Sequence, residues 1–217
     1  MATNLFYPLN GGSEHVVYET SRRLVQRGYD IHVLTEKTQP DWPAYECIEG
    51  IHIHRCSVRF GNPLIRFGSG ILNAAKLFKT LVASHPFDVL HFHLTLSSVG
   101  ILLCGASRHT ARVSTFHGPW HQEEIIEKTV RSRLHPGQIK ASLFHRLQQF
   151  VLDRSERIIV LSRFSQSLLV DLFGLSLTSD LIPGGADLDR FLPADDRRKV
   201  RTQLGLPESA NVLLTIR

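Results

Sequence analysis

Polar side chains capable of chemistry stand where several apolar runs of the chain end. His93 follows the run 88–92, His117 follows 113–116, Ser162 follows 157–161, and Asp187 closes the turn after 181–182. Imidazole, hydroxyl and carboxylate groups are the ones that stabilise charge in reactions of polar substrates. If these runs are strands of one parallel sheet, their carboxyl ends gather at one edge. The sequence therefore predicts a polar cleft at that edge.

A glycine pair, Gly11-Gly12, stands at the corresponding point near the start of the chain. It separates a short apolar run from a helical pattern, where free backbone N–H groups and the positive end of the helix dipole attract anions. We therefore predict a loop that binds phosphate or diphosphate. The alternative is a tight turn between strand and helix that needs glycine, since neither GxGxxG nor GxxxxGK[ST] is present.

The other candidates each have a structural interpretation beside the functional one. Ser13 is predicted to cap the first helix and to belong to the anion site, and Ser162 is a candidate cap of a later helix. Glu14 either complements the helix dipole or binds substrate hydroxyl groups. Asp187 serves a turn or a substrate, and His93 serves the fold or the cleft.

The elements that would position these residues alternate between strand and helix. Strands are predicted at 2–6, 31–35, 51–54, 88–93, 112–116, 157–161, 181–182 and 211–216. Helices are predicted at 14–26, 72–82, 99–106, 140–153, 164–172 and 194–204. This order predicts an α/β fold with a doubly wound, Rossmann-like parallel sheet. Both end strands look incomplete, so we expect a piece of a longer protein.

Composition narrows the partners and the compartment. The 217 residues carry a net charge of +5, which favours a polyanion: nucleic acid, anionic lipid or a phosphorylated ligand. No helix-turn-helix, zinc knuckle or aromatic RNA motif occurs, so we expect no nucleic acid. There is no apolar run of about 18 residues and no signal peptide. The three cysteines are scattered, which is typical of reduced thiols, and we expect a cytoplasmic protein.

Two weaker patterns leave alternatives open. His117 and His121 have HxxxH spacing, but Gly118-Pro119 interrupts any helix between them and no third ligand is in register, so we expect no metal. Cations accompany apolar residues at helical spacing further along: Lys128, Arg131, Arg133, Lys140 and Arg146. They indicate either peripheral contact with an anionic inner membrane face or an ordinary surface helix.

Five segments carry a family resemblance: TNLFYPLNGGSE, HFH, TFHGPW, IIVLSRFSQSLL and LIPGGADLDRFLP. In this order they resemble the N-terminal half of group 1 glycosyltransferases, family 4, which have the two-domain GT-B architecture. The last segment is similar to the IPNGVDxxxF segment of that family, with Gly184 at the position of the Asn. NVLLTIR, at the end of the chain, resembles the opening strand of the C-terminal domain.

The resemblance implies retaining transfer of a sugar from a nucleotide-sugar donor to a glycan, a lipid-linked sugar or a small molecule. No metal or other cofactor is implied. Gly11-Gly12 would lie at the donor diphosphate, and His117 would face the reacting sugar as the catalytic residue, acting by electrostatic stabilisation. Glu123 and Glu124 are candidate carboxylates for a covalent intermediate, to which we assign no role.

The resemblance also divides the chain. Residues 1–193 would form the acceptor domain, and residues 194–217 would begin a C-terminal donor domain. Family members carry two glutamates eight positions apart in that second domain, and no such pair occurs here. We therefore expect the chain to need the missing donor domain as a partner and to be inactive alone. The alternative is a non-catalytic Rossmann-like module that binds a phosphorylated ligand or a protein partner.

Overall fold

A computed structural model describes residues 1–9, 11–59, 61–93, 95–120, 137–175 and 179–213. Contacts divide the chain into two units, Met1–Pro183 and Gly184–Arg217. The domain division after residue 193 stays a prediction about the longer protein.

The first unit alternates strands with helices in the predicted manner. Its strands are β1 (Ile31–Lys37), β2 (Tyr45–Ile48), β3 (Ile51–Ser57), β4 (Val89–Phe92), β5 (Ala111–Phe116), β6 (Arg157–Val160) and β7 (Ser179–Leu181). Its helices are α1 (Gly12–Gln26), α2 (Pro63–Ser84), α3 (Thr95–Leu103), α4 (Gly137–Leu152) and α5 (Arg163–Phe173). The second unit contains α6 (Arg197–Gln203), which Asp196 caps through hydrogen bonds from the N–H groups of Arg198 and Lys199.

One residue at the start of the chain joins two groups of strands. The first group has the order β1-β3-β2 and the second has the order β4-β5-β6-β7. Ala2 forms parallel bridges to Leu34 of β1 and to Phe92 of β4. Backbone hydrogen bonds of Met1, Thr3 and Asn4 to β1 extend this pairing, so the strand predicted at 2–6 is present in a shortened form between the two groups. All strand pairs are parallel except β2 with β3.

Helices cover both faces of this sheet. Successive strand residues point to opposite faces. Val33 of β1 packs in a cluster with Val17 of α1, whereas the next residue, Leu34, packs in a cluster with Ala74 and Phe78 of α2. The two clusters are separated by the sheet, so the predicted doubly wound α/β fold is confirmed.

The structure contains a strand that the predicted elements do not include. Tyr45–Ile48 forms β2, antiparallel to β3. The two strands are joined by Glu49 and Gly50, which both have positive φ, 51° and 79°. Two positive φ values in a two-residue loop are typical of a tight hairpin turn, and the usual Asn-Gly signal is absent because Glu occupies the first position.

Most other boundaries lie close to the predicted ones. The exception is α2, which begins nine residues before the predicted start at 72, because Gly68 and Gly70 interrupt its apolar pattern. Gly28 and Gly174 have positive φ after α1 and α5, as helix-ending glycines should. The strand predicted at 211–216 is not formed at 211–213, and its remainder lies outside the described residues. No helix in the described ranges is long and apolar enough to cross a bilayer.

Candidate active site at the carboxyl edge of the sheet

The N-terminus of α1 is built around the Glu14 carboxylate. Gly11 is extended, with φ −120° and ψ 171°, so positive φ is not what glycine provides here. A Cβ at Gly11 would lie 2.1 Å from Glu14 Oε2. The carboxylate thus folds back over the Gly11 Cα, and a larger residue there would only require this flexible side chain to rotate away. Around Gly12 a Cβ would meet no described atom within 4 Å, so this backbone position is open.

Ser13 does not cap this helix, which corrects the predicted role. The residue lies inside the first turn, and its Oγ donates a hydrogen bond to Glu14 Oε2 over 3.0 Å. Gly11 is the N-cap, and no side chain of the described residues caps the helix. Glu14 is buried at the positive end of the dipole, so it complements the dipole as one of its two interpretations expected.

Three histidines follow each other along one face of β4 and β5. His91 and His93 lie on β4 and directly after it, and their ring centroids are 4.1 Å apart. His91 Nε2 lies 2.7 Å from Thr115 Oγ1, and His93 Nδ1 lies 3.2 Å from His117 Nε2. The strand ends therefore bring His93 and His117 together, although each had been predicted only to lie at the same edge.

Burial keeps these imidazoles neutral. It lowers the pKa of His91 to about 3 and that of His93 well below its usual value. It also lowers the pKa of His117, and the negative charge of Glu14 acts in the opposite direction. This electrostatic effect indicates that the start of α1 lies on the same side of the sheet edge as the loop after β5.

His93 has hydrogen-bonding capacity to spare. Its Nε2 is buried, and it has no hydrogen-bond partner in the part of the chain that the structure describes. An unpaired buried ring nitrogen costs free energy unless a ligand or a water molecule pairs with it. His93 and His117 both line the adjoining cleft, so a ligand bound there would lie beside both imidazoles.

Two side chains of α4 hold the loop that carries His117. Gln148 donates from Nε2 to the Gly118 carbonyl over 2.8 Å, and its Oε1 accepts from the N–H of Trp120 over 3.1 Å. The Trp120 ring stacks on Phe144, with centroids 4.0 Å apart. Sequence analysis missed this role of Gln148. The signal was its position one turn after the buried Phe144, on the same helix face.

The N-terminal segment is fixed by polar contacts that the sequence did not reveal. Asn4 accepts hydrogen bonds at Oδ1 from the N–H and Oγ of Ser97 in the first turns of α3, each over 3.3 Å. Its carbonyl accepts from Thr35 Oγ1. Arg55 is buried, pairs with Glu46 and donates to the Tyr7 carbonyl over 3.1 Å. These contacts set the path of the segment that leads into Gly11.

The side chains of two predicted site residues form hydrogen bonds with backbone groups a few positions along the chain. Ser162 caps α5, because its Oγ accepts a hydrogen bond from the N–H of Ser165 over 3.0 Å. Asp187 belongs to the second unit, where its Oδ1 accepts from the N–H groups of Asp189 and Arg190. Their structural interpretations are thus confirmed, and their substrate roles stay predictions.

Several candidates lie outside the described residues: His121, Glu123, Glu124, Lys128, Arg131 and Arg133. Arg146, from the same basic stretch, is exposed on α4. Within the described ranges, one group of side chains has the geometry of a metal site, and it consists of Asp30, His32 and His52. These residues lie at the opposite end of the sheet from Gly11 and His117.

Comparison with known proteins identifies the family. The model of Glycosyltransferase Family 4 matches residues 10–190. The chain is 26% identical over 95% of its length to a D-inositol 3-phosphate glycosyltransferase of Kineococcus radiotolerans, of which it covers 48%. It is 30% identical over 95% of its length to a protein of the same name from Geodermatophilus obscurus, of which it covers 46%. The chain thus spans about half the length of these relatives.

A solved structure shares the fold. Sucrose-phosphate synthase from Thermosynechococcus elongatus superimposes with a TM-score of 0.71 at 20% identity, over 91% of this chain and 48% of that one. The predicted resemblance to the N-terminal domain of a GT-B enzyme is confirmed by the family match and this fold. The chain belongs to Glycosyltransferase Family 4.

Proposed function

We propose that this chain is the acceptor-side domain of a retaining glycosyltransferase that uses a nucleotide-sugar donor. One observation carries the proposal: His117 contacts His93 and lies within the electrostatic reach of Glu14 at the start of α1. A cleft lined by neutral donors beside an open helix N-terminus suits a substrate that carries both hydroxyl and phosphate groups.

The two imidazoles act as a relay of hydrogen bonds. When His93 donates its Nδ1–H to His117 Nε2, His117 keeps its own proton on Nδ1. That N–H is then a neutral donor for a phosphate oxygen or for charge that develops as the sugar–phosphate bond breaks. Thr115 adds a further step to the row, since its hydroxyl pairs with His91 beside His93.

In this proposal, the glycine pair and Glu14 bind different parts of the substrates. The backbone at Gly12 is open to an approaching diphosphate, and the helix dipole favours its negative charge. Glu14 accepts hydrogen bonds from acceptor hydroxyl groups. The relatives are named for an inositol phosphate, so we place a phosphorylated polyol first among the acceptor classes, ahead of a glycan or a lipid-linked sugar. No metal or cofactor takes part.

Activity is tested with the donor-binding half that family members carry, whether continuous with this chain or supplied as a second polypeptide. Nucleotide release from a panel of nucleotide sugars is measured with and without D-inositol 3-phosphate. We expect His117→Ala to lower kcat by about 100- to 1,000-fold, the effect of removing one donor to developing charge. His109→Ala changes an exposed histidine and should leave the rate unchanged.

The outcomes separate the candidate functions. Unchanged turnover in His117→Ala would remove the catalytic role of this histidine. If no nucleotide sugar is turned over, while inorganic pyrophosphate or D-inositol 3-phosphate still binds to the chain by titration calorimetry, the chain is a non-catalytic binding module. Liposome sedimentation, compared between the unaltered chain and Arg146→Ala, tests peripheral membrane contact separately.

A further inference from the structure

A second cluster of histidines lies at the amino end of the sheet, on the face covered by α2. The parallel register places His32 of β1 directly opposite His52 of β3. Their ring centroids are 4.7 Å apart, and the His54 ring lies nearly parallel to that of His32 with centroids 5.1 Å apart. Asp30 immediately precedes β1 and faces both Nε2 atoms.

The distances within this cluster approach those of a tetrahedral zinc site. Asp30 Oδ1 lies 3.3 Å from His32 Nε2 and 3.7 Å from His52 Nε2. The three ligand atoms all lie within 4.8 Å of one another. Ligands about 2.0–2.1 Å from a tetrahedral Zn²⁺ are about 3.3 Å apart. One pair already has this separation, and small side-chain rotations would bring in the others.

The other ring nitrogens of both histidines are already occupied. His32 Nδ1 lies 3.0 Å from His54 Nε2, and His52 Nδ1 lies 2.8 Å from the Tyr45 hydroxyl. If each Nδ1 donates its proton to that partner, each Nε2 presents a lone pair toward the same point. Metal-bound histidines usually have such a partner on the second nitrogen, because it fixes the tautomer and the ring orientation.

We propose that Asp30 Oδ1, His32 Nε2 and His52 Nε2 bind one Zn²⁺ ion, with a fourth position open to solvent. The ion can enter from the surface, since the Asp30 side chain is 71% exposed and that of His52 is 35% exposed. His32 is buried and anchors the site to the sheet.

This site is structural rather than catalytic. It lies at the start of β1, whereas the segment leading to Gly11 runs along β1 and leaves it near its end, where Asn4 pairs with Glu36. The seven residues of β1 span about 20 Å at about 3.3 Å per residue. The ion would join the start of β1 to the hairpin of β2 and β3. A metal at this position is consistent with sugar transfer that uses no metal.

The experiment uses the 217-residue chain purified without a histidine tag and stripped with a chelator. Zn²⁺ is titrated in competition with a chromogenic chelator, and the thermal midpoint is followed with and without the ion. We expect one equivalent to bind and the midpoint to rise, because a ligand of the folded state stabilises it. Asp30→Asn and His52→Ala should each weaken binding by about 100-fold or more, and Tyr45→Phe by about 10-fold.

The controls distinguish this site from the other histidines of the chain, which has twelve in all. His109→Ala alters an exposed histidine outside the cluster and should bind like the unaltered chain. Far-ultraviolet circular dichroism verifies that each variant is folded, and nitrogen chemical shifts of the imidazoles should report Nε2 coordination at His32 and His52.

Two results would overturn the proposal. One is the absence of saturable binding, which would mean that Asp30 only accepts hydrogen bonds from protonated Nε2 atoms. The other is binding that Asp30→Asn and His52→Ala leave unchanged, which would place the ion elsewhere.

Discussion

The two ends of one sheet each carry a group of histidines, and the two groups are built differently. At the carboxyl end, His93 and His117 come from successive strand ends and pair with each other, and His117 lies within electrostatic reach of Glu14 at the start of a helix. At the amino end, His32 and His52 are paired residues of adjacent strands. The first group depends on the crossover connections between strands, whereas the second depends on the register of neighbouring strands.

The two groups of histidines also differ in which ring nitrogens lack a hydrogen-bond partner among the described residues. His93 Nε2 is buried without a partner among the described residues, so the carboxyl end has hydrogen-bonding capacity left for an organic ligand. At the amino end His54 and Tyr45 occupy the Nδ1 atoms, and both Nε2 atoms face one carboxylate. The comparison suggests a substrate site at one end and a compact ion site at the other.

Gly100→Ala tests whether close packing of α3 against α2 supports both ends of the sheet. Of the changes considered, it should have the largest effect on the free energy of unfolding. A Cβ at Gly100 of α3 would lie 2.3 Å from the Ile71 carbonyl oxygen and 3.2 Å from the Ala75 nitrogen of α2. These are backbone atoms that cannot rotate away. We expect a loss of about 3 kcal/mol in the free energy of unfolding, measured by urea denaturation.

Gly68→Ala is the matched control. It lies in α2, the helix that Gly100 of α3 approaches, and a Cβ there meets no described atom within 4 Å. Because alanine is the better helix former, the variant should gain up to about 1 kcal/mol. If Gly100→Ala is as stable as Gly68→Ala, α2 and α3 do not approach as closely as the structure has them.

Acidification should destabilise both ends, because their buried histidines are neutral in the folded state. Burial lowers the pKa of His91 to about 3 and that of His54 to about 4. The unfolded chain therefore binds protons first, and stability falls as the pH drops below the unfolded pKa of about 6.5. Between about pH 7.5 and about pH 5.5, each such histidine should remove about 1.4 kcal/mol.

Single variants assign this loss to one end or the other. His91→Asn at the carboxyl end and His54→Asn at the amino end should each reduce the pH-dependent loss by about 1 kcal/mol. The measurement is the difference in unfolding free energy between the two pH values in chelator, so a general destabilisation cancels. A variant with an undiminished loss would show that its histidine is already protonated in the folded state, or solvated.

The two ends of the sheet also differ in how far the sequence predicts them. Alternating strands and helices predict the doubly wound sheet, and the rule that parallel strand ends converge places Gly11, His93 and His117 together. The cluster at the amino end was not predicted. Its assembly depends on the pairing of His32 with His52 and on β2, which supplies Tyr45.

The hydrogen bonds of individual side chains were harder to predict than the topology, because one residue type can have several structural roles. Ser13 was predicted to cap α1, yet it hydrogen-bonds to Glu14, and Gly11 takes the cap position. The Glu14 carboxylate occupies the space that a side chain at residue 11 would fill. Long-range contacts such as that of Gln148 with the His117 loop leave only an indirect signal in a single sequence, here the spacing of Gln148 from Phe144 on one helix face.

Ser162→Ala should have the smallest effect and sharpens the description of the carboxyl end. The Ser162 hydroxyl caps α5 through the N–H of Ser165, and loss of a serine cap costs about 1 kcal/mol. Ser165→Ala keeps the cap, because the backbone N–H of residue 165 still donates, and should cost less.

Both variants are compared by thermal unfolding and by binding of inorganic pyrophosphate. If Ser162→Ala weakens pyrophosphate binding more than Ser165→Ala does, the hydroxyl serves the ligand as well as the helix. Equal binding by the two variants would mean that Ser162 serves only as a helix cap and that the anion site consists of the start of α1 and the histidines. The reason is that a hydroxyl that already accepts a hydrogen bond at a helix N-terminus gains little free energy from a second partner.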